Sequence, residues 1–230
     1  MFSFIKDIIA PKKCYSCKKE WHFLCLECLS NMSNFDSICY VCKRKTDNFE
    51  IHKNCRIWVH YDKMIILTHY KNKYISKLIK NFKFYWKKDI LWDFSLYLWQ
   101  KLWENIDRTN KNNFLIVPVP MKFLKKLKRW YNPPEIIAKN IARQLDIEYK
   151  SSLLKKVKNT RQQSILSRQE RLTNLDKAFK INKKYVDNID KKYIIIVDDV
   201  ISTGTTINEV SKILKQHNAQ KIIWLCIASD

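Results

Sequence analysis

A single glycine stands in these 230 residues. At a usual share of roughly 7%, such a chain would hold about 16. Its turns must therefore be built from Asn, Asp, Ser and Lys, which accept a left-handed backbone at some cost. A chain that dispenses with glycine everywhere but at Gly204 keeps it where no other residue fits, which points to a steric demand in the loop 198 to 206. No apolar run approaches the 18 or so residues of a membrane span. The opening Met1-Phe2-Ser3-Phe4-Ile5-Lys6-Asp7 has no basic leader ahead of an apolar stretch, so it does not read as a signal peptide and the cytoplasm is the expected compartment. Acids are half as numerous as bases, 22 against 44, which leaves a formal charge of +22. Such a field attracts polyanions, nucleic acid before anionic membrane. The abundance of Lys, Asn and Ile also fits a coding bias, so charge alone does not assign a nucleic-acid role.

Cysteine is absent after residue 55 except for Cys226, which lies in an apolar run and reads as a small core residue. The other seven form three Cys-x-x-Cys pairs, completed by His52-x-x-Cys55. Two ligands of one tight turn can reach one ion, and two such turns complete a tetrahedron. Sequential pairing puts Cys14, Cys17, Cys25 and Cys28 on one zinc and Cys39, Cys42, His52 and Cys55 on another, four knuckles in a row. A disulfide framework would need an oxidising compartment that nothing here suggests. A redox Cys-x-x-Cys would sit in a βαβ context absent from this segment. His22 and His60 are alternatives to His52. Closed four-ligand sites leave no open position for chemistry, so the module, residues 1–58, is expected to be structural.

The remainder, residues 59–230, holds apolar strands separated by helices, the pattern of a buried parallel α/β sheet. Residues 57–61 and 63–70 read as a strand pair. Ile75, Leu78, Ile79 and Phe82 recur at helical spacing. A helix over about 88–105 carries Trp92, Leu96, Trp99 and Trp103 beside Leu91, Leu98 and Leu102, a face so broad that the tryptophans read as core. Phe114–Val117 is a short strand closed by Pro118-Val119-Pro120. The stretch 122–131 interleaves Lys122, Lys125, Lys126, Lys128 and Arg129 with Phe123 and Trp130. It could track phosphates and stack bases, or form an amphipathic helix with Phe123, Leu124, Leu127 and Trp130 packed inward. A helix from Pro134 to about Leu145 follows. Residues 150–173 have no clear period and suit a loop. A strand over Tyr193–Val197, a helix over about 206–217 and a final apolar strand complete the chain.

The strand ending at Val197 delivers Asp198 and Asp199 to the carboxyl edge of the sheet, where ligands of open α/β folds sit. The following helix offers free backbone N–H groups and a positive dipole end to a phosphate. Ser202, Thr203, Thr205 and Thr206 add hydroxyls, and Gly204 lets the backbone come close to the anion. Two carboxylates would repel a phosphate but accept hydrogen bonds from vicinal ribose hydroxyls, so a ribose phosphate satisfies both halves of the loop. A plain helix cap needs one such residue, not two acids, three threonines and a glycine in nine positions.

This hydrophobic strand, acid pair and Thr-Gly loop resemble those of the phosphoribosyltransferase family. The resemblance implies a type I phosphoribosyltransferase fold, ribose hydroxyls on Asp198 and Asp199, the 5-phosphate on Ser202, Thr203, Gly204, Thr205 and Thr206, and magnesium on the pyrophosphate of phosphoribosyl pyrophosphate. With a zinc-ribbon module ahead, the chain resembles the ComF family of late-competence proteins, including the ComFC type. Val117-Pro118-Val119-Pro120, Thr160-Arg161-Gln162-Gln163, then Arg168, Arg171, Asn174, Ala178 and Phe179 fit its pattern, and Phe82-Lys83-Phe84 resembles a Lys-Phe element. Arg129-Trp130-Tyr131-Asn132-Pro133 departs from Arg-Gly-Phe-Asn-Gln, with Trp for Gly and Pro for Gln. Ser202 stands where purine-salvage transferases carry a basic Asp, and a serine cannot take that proton near neutral pH.

Three functions remain open at this point. A competence protein would bind phosphoribosyl pyrophosphate and handle single-stranded DNA at the cytoplasmic side of the membrane, with an ATP-dependent DNA translocase as the partner the resemblance implies. A metabolic phosphoribosyltransferase would stabilise the leaving pyrophosphate with magnesium and a closing loop bearing Arg161, Arg168 and Arg171. A zinc-ribbon nucleic-acid adaptor would use the transferase fold as a scaffold.

Overall fold

The computed structural model describes residues 11–32, 37–121, 130–157, 178–201 and 204–229. In chain order its elements are α1 (Leu26–Met32), β1 (Lys63–His69), α2 (Lys73–Phe84), α3 (Ile90–Asn105), β2 (Phe114–Pro118), α4 (Pro133–Leu145), β3 (Glu148–Tyr149), β4 (Leu154–Lys156), β5 (Phe179–Ile181), β6 (Tyr193–Ile201), α5 (Thr205–Gln216) and β7 (Lys221–Ser229). Five strands form one sheet in the order β1-β7-β6-β2-β3, every pair parallel. β4 and β5 pair antiparallel outside it.

Successive side chains of a strand point to opposite faces, and here both faces are covered. Ile65, Leu67, Ile116, Ile195, Val197, Ile223 and Leu225 share a core with the buried sides of α2, α3 and α4. Met64, Ile66, Leu115, Val117, Ile194, Ile196, Trp224 and Cys226 share the other with Ile207, Val210 and Leu214 of α5 and with Leu154 and Phe179 of the β4–β5 pair. That double cover is why these segments read as continuous apolar runs.

The cysteine-rich segment wraps the free edge of β1. The Ile51 amide donates to the Asp62 carbonyl at 2.9 Å and the Met64 amide to the Phe49 carbonyl at 3.1 Å, so residues 49–51 pair with a strand edge that would otherwise stand open. Cys14, Cys25 and Cys28 belong to the core under α2–α4, whereas Cys39 and Cys55 belong to the core under α5. One thiol group thus lies against each face of the sheet.

Several expectations change. Residues 57–61 form no strand; Ile57 and Trp58 are exposed, and the partner of β1 on that side is the short segment 49–51. β6 runs on to Ile201, past Val197, because β7 stays paired with it as far as Ser229. Within 150–173, Leu154–Lys156 is a strand, paired with Phe179–Ile181. Two tryptophans of α3 are not core, Trp92 being 55% exposed and Trp103 37%, whereas Trp99 is partly buried against the core under α2–α4. Apolar residues surround most of that helix, and it can bury only the side facing the sheet and α4, which Leu91, Phe94, Tyr97, Leu98 and Leu102 occupy. Trp130 is 77% exposed, so it does not pack inward as the amphipathic-helix reading requires. Residues 122–129 of that stretch lie outside the described residues.

Candidate functional site

β2 pairs with β6 only as far as Pro118 opposite Val197. Beyond that point β6 keeps β7 but has no strand on its other side among the described residues, and Asp198 and Asp199 sit on this overhang. The chain leaves β2 through α4 toward β3 on one side, and leaves β6 through α5 toward β7 on the other. Such a divergence is the topological switch point at which open α/β sheets place ligands.

The acids are fixed locally. The Asp199 amide donates to Asp198 Oδ1 at 2.8 Å, and the Val200 amide donates to Asp199 Oδ1 at 2.7 Å. Lys83 Nζ, from the last turn of α2, lies 2.9 Å from Asp199 Oδ2. Burial, reinforced by the Asp199 charge, pushes the Asp198 carboxyl up to about 7, while the Asp199 amide and the Lys83 and Lys156 charges pull against it. Burial also raises the Cys226 thiol well above its ordinary value, as expected of an inert core residue.

Gly204 caps α5 with φ +70°, and a Cβ built on it meets no described residue within 4 Å. Positive φ alone does not demand glycine in this chain: Lys18, Lys43, Asn48, Asp146, Lys191 and Asn218 adopt it too, as do Trp21, Phe49, Trp86 and Trp130. Gly204 combines that backbone with open space, among the described residues, at the head of the helix that follows the two acids. Thr205 and Thr206 open α5 directly after it. Ser202 and Thr203 lie outside the described residues, as do Lys125, Lys126, Arg129, Arg161, Arg168 and Arg171.

Two residues of the departing segment tie the site together. Asn132 Nδ2 donates to the Val119 carbonyl at 3.0 Å, closing the connection after β2. The buried Tyr131 hydroxyl donates to the Phe82 carbonyl, one residue before Lys83. Trp130, the tryptophan that replaces a glycine in the resembled pattern, holds φ +60°, the left-handed geometry glycine would supply freely. Lys83 was legible only as part of a Lys-Phe element; no spacing relates a helix end to a loop so distant in sequence.

The cysteines fall into two groups, Cys14, Cys17, Cys25 and Cys28, and Cys39, Cys42, His52 and Cys55, with the ligand atoms of each group within 4.8 Å of one another. None forms a disulfide. The first pair of each group is a true knuckle, and the two are copies: Cys14-Tyr15-Ser16-Cys17-Lys18 and Cys39-Tyr40-Val41-Cys42-Lys43. In each the lysine takes positive φ and its amide donates back to the first cysteine's carbonyl, at 3.0 and 2.8 Å. The second pairs are not knuckles, contrary to expectation. Cys25 leads into α1, which contains Cys28, and His52 and Cys55 bracket a single 3-10 turn. A helical turn also brings positions three apart onto one side. The Arg44 backbone amide and side chain, then His52, bring the Cys42 thiol down to about 6. His22 is turned to Asp93 of α3, 3.3 Å from its Oδ1, while Phe23 and Leu24 donate to Oδ2 of the same carboxylate. A sulfur-rich, tetrahedrally sized donor set of this kind could hold zinc.

Residues 135–230 match the family described as Phosphoribosyl transferase domain. Over 226 residues, 89% of this chain and 96% of the relative, the protein is 29% identical to Competence protein F of Haemophilus influenzae. It is 27% identical to the DNA utilization protein YhgH of Escherichia coli over 112 residues, about half of each chain (49% and 48%). A purine phosphoribosyltransferase from Pyrococcus horikoshii aligns structurally with 72% of this chain and 78% of its own, at 20% identity and a TM-score of 0.36. That score is too low to add to the parallel α/β fold already described.

Proposed function

We propose, for a chain of the ComF type with a phosphoribosyltransferase-like domain, that the β6 tip and the head of α5 bind phosphoribosyl pyrophosphate and that the protein handles single-stranded DNA in DNA uptake. One observation carries the ligand reading: an acid pair on a strand overhang at the switch point is followed by a lone glycine at the head of α5, whose Cβ position no described residue approaches within 4 Å. Asp198 and Asp199 accept the ribose hydroxyls. Gly204, Thr205 and Thr206, with Ser202 and Thr203, surround the 5-phosphate, aided by the dipole of α5. Magnesium, when bound with the ligand, neutralises the pyrophosphate. The two thiol groups hold one zinc each and brace residues 11–58 on both faces of the sheet, with no position left open for chemistry.

The DNA part of the reading has separate support. The formal charge is +22, and Phe84, Tyr85, Trp86 and Trp130 are all exposed. They lie on segments joined by the Tyr131–Phe82 hydrogen bond and by Lys88 Nζ, 4.8 Å from the Tyr131 ring. Exposed rings among lysines suit stacked bases on a tracked backbone. Arg129, Lys125 and Lys126 precede Trp130 in sequence and belong to the same proposal, as does the ATP-dependent translocase as partner. Arg161, Arg168 and Arg171 are proposed to face the pyrophosphate.

Thermal melting with phosphoribosyl pyrophosphate and magnesium tests the ligand reading. The wild type should gain several degrees by mass action on the folded state, and Asp199→Asn should gain none. Equal gains in both proteins would remove the acid pair from the site.

A further inference from the structure

Asp199 carries more restraint than a ligand-binding acid requires. Its Oδ1 accepts the Val200 amide at 2.7 Å and its Oδ2 faces Lys83 Nζ at 2.9 Å. Both side chains are mostly covered, 21% exposed for Lys83 and 14% for Asp199, so water does not dilute the pair as it would at an open surface. The lysine is itself anchored. It sits in the last turn of α2, beside Phe82, which is fully buried and whose carbonyl takes the Tyr131 hydroxyl. A carboxylate offers about four lone-pair positions. Among the described residues two are used, one on each oxygen, and the other two match a pair of vicinal hydroxyls.

We infer that Lys83 is a positioning residue of the sugar-phosphate site: its ammonium fixes the Asp199 carboxylate so that each oxygen keeps one acceptor position for ribose. This rests on the ligand reading above and extends it to a residue from a distant helix. The charge has a second consequence. Asp198 and Asp199 are adjacent acids, and among the described residues the titratable groups that face them from other elements are Lys83 of α2, Lys156 of β4 and Cys226 of β7. Removing the nearest cation leaves like charges less compensated, so a proton enters the pair at higher pH and occupies an acceptor position that ribose needs.

Calorimetric titration of the full-length, zinc-loaded protein with phosphoribosyl pyrophosphate and magnesium, between about pH 6 and 8.5, tests this with Lys83→Met, Lys83→Arg and Asp199→Asn. Lys83→Met should bind about tenfold more weakly at pH 7, and its affinity should begin to fall about one pH unit above the wild-type fall. Lys83→Arg keeps the charge and should stay within about threefold, with the wild-type profile. A Lys83→Met protein with wild-type affinity and profile, beside an Asp199→Asn protein that fails to bind, would overturn the inference and leave the site standing. Equal weakening of both Lys83 variants with unmoved profiles would also overturn it, since shape and not charge would then matter. If the wild type binds nothing, the ligand reading fails. Carboxyl carbon NMR then judges Lys83 without ligand: the acid pair must titrate about one unit higher in Lys83→Met, and an unmoved titration refutes the role.

Discussion

His52 Nε2 lies 3.0 Å from the Lys45 carbonyl oxygen, an atom that only accepts, so Nε2 carries the ring proton and Nδ1 turns its lone pair toward Cys42 Sγ at 3.2 Å. This is the outer-shell contact that orients a metal-bound imidazole. Metal analysis of the purified protein should give two zinc ions per chain, and His52→Ala should retain one firmly. Because Cys39 and Cys55 sit in the core under α5, that variant should also melt several degrees lower. A count of two in His52→Ala would assign the fourth ligand elsewhere.

Gly204→Ala separates backbone strain from lost space. With φ at +70° and no described residue within 4 Å of the added methyl, the substitution should cost about 1 kcal/mol of stability and no more. Its affinity for phosphoribosyl pyrophosphate should fall at least about tenfold, because the methyl occupies the room left for the phosphate. Calorimetry and chemical denaturation on the same sample read the two effects. Unchanged affinity would mean that the vacancy serves no ligand.

The raised Asp198 carboxyl makes a signed statement about stability. Its folded value of about 7 lies above the ordinary 3.8, so the folded state holds a proton that the unfolded state releases earlier. The resulting stability is full below the unfolded value and is lost as pH rises through about 7. Between about pH 5.5 and 8, where thiolate ligands keep their metal, the unfolding free energy of the unliganded protein should therefore decline. Asp198→Asn should flatten that decline. A parallel decline in both proteins would place the titrating group elsewhere.

Trp130 pays for a left-handed backbone without burying its ring. Trp130→Gly should therefore raise stability, or leave it unchanged within about 1 kcal/mol. Its affinity for single-stranded DNA should drop by about 1–3 kcal/mol if the ring stacks on a base. The slope of affinity against salt should not move, since no phosphate contact is removed. Fluorescence anisotropy at several salt concentrations distinguishes these terms, and full affinity in Trp130→Gly would exclude the stacking role.

Much of the site is local and therefore readable from spacing. The Cys-x-x-Cys pairs partner in sequential order because each pair spans one turn and its neighbour in the chain is the nearest completion. Tyr193–Val197 declares a buried strand through its composition, and the acids after it reach the sheet edge whichever way the strand is ordered. Gly204 stands out by being alone. The strand order and the Lys83–Asp199 pair were not readable, because they join elements that only the packed sheet brings together.

The order of residues alone thus determined the thiol groups, the parallel α/β character and the acid-to-glycine loop, since each depends on neighbours within a turn or a strand. Tertiary structure decided which side of α3 is buried, that β6 outruns β2, and that one thiol group lies against each face of the sheet. These outcomes depend on competition between surfaces for the same cover. An apolar side chain such as Trp92 states an affinity for burial, but only the space left by Leu91, Phe94 and Leu98 determines whether it is met.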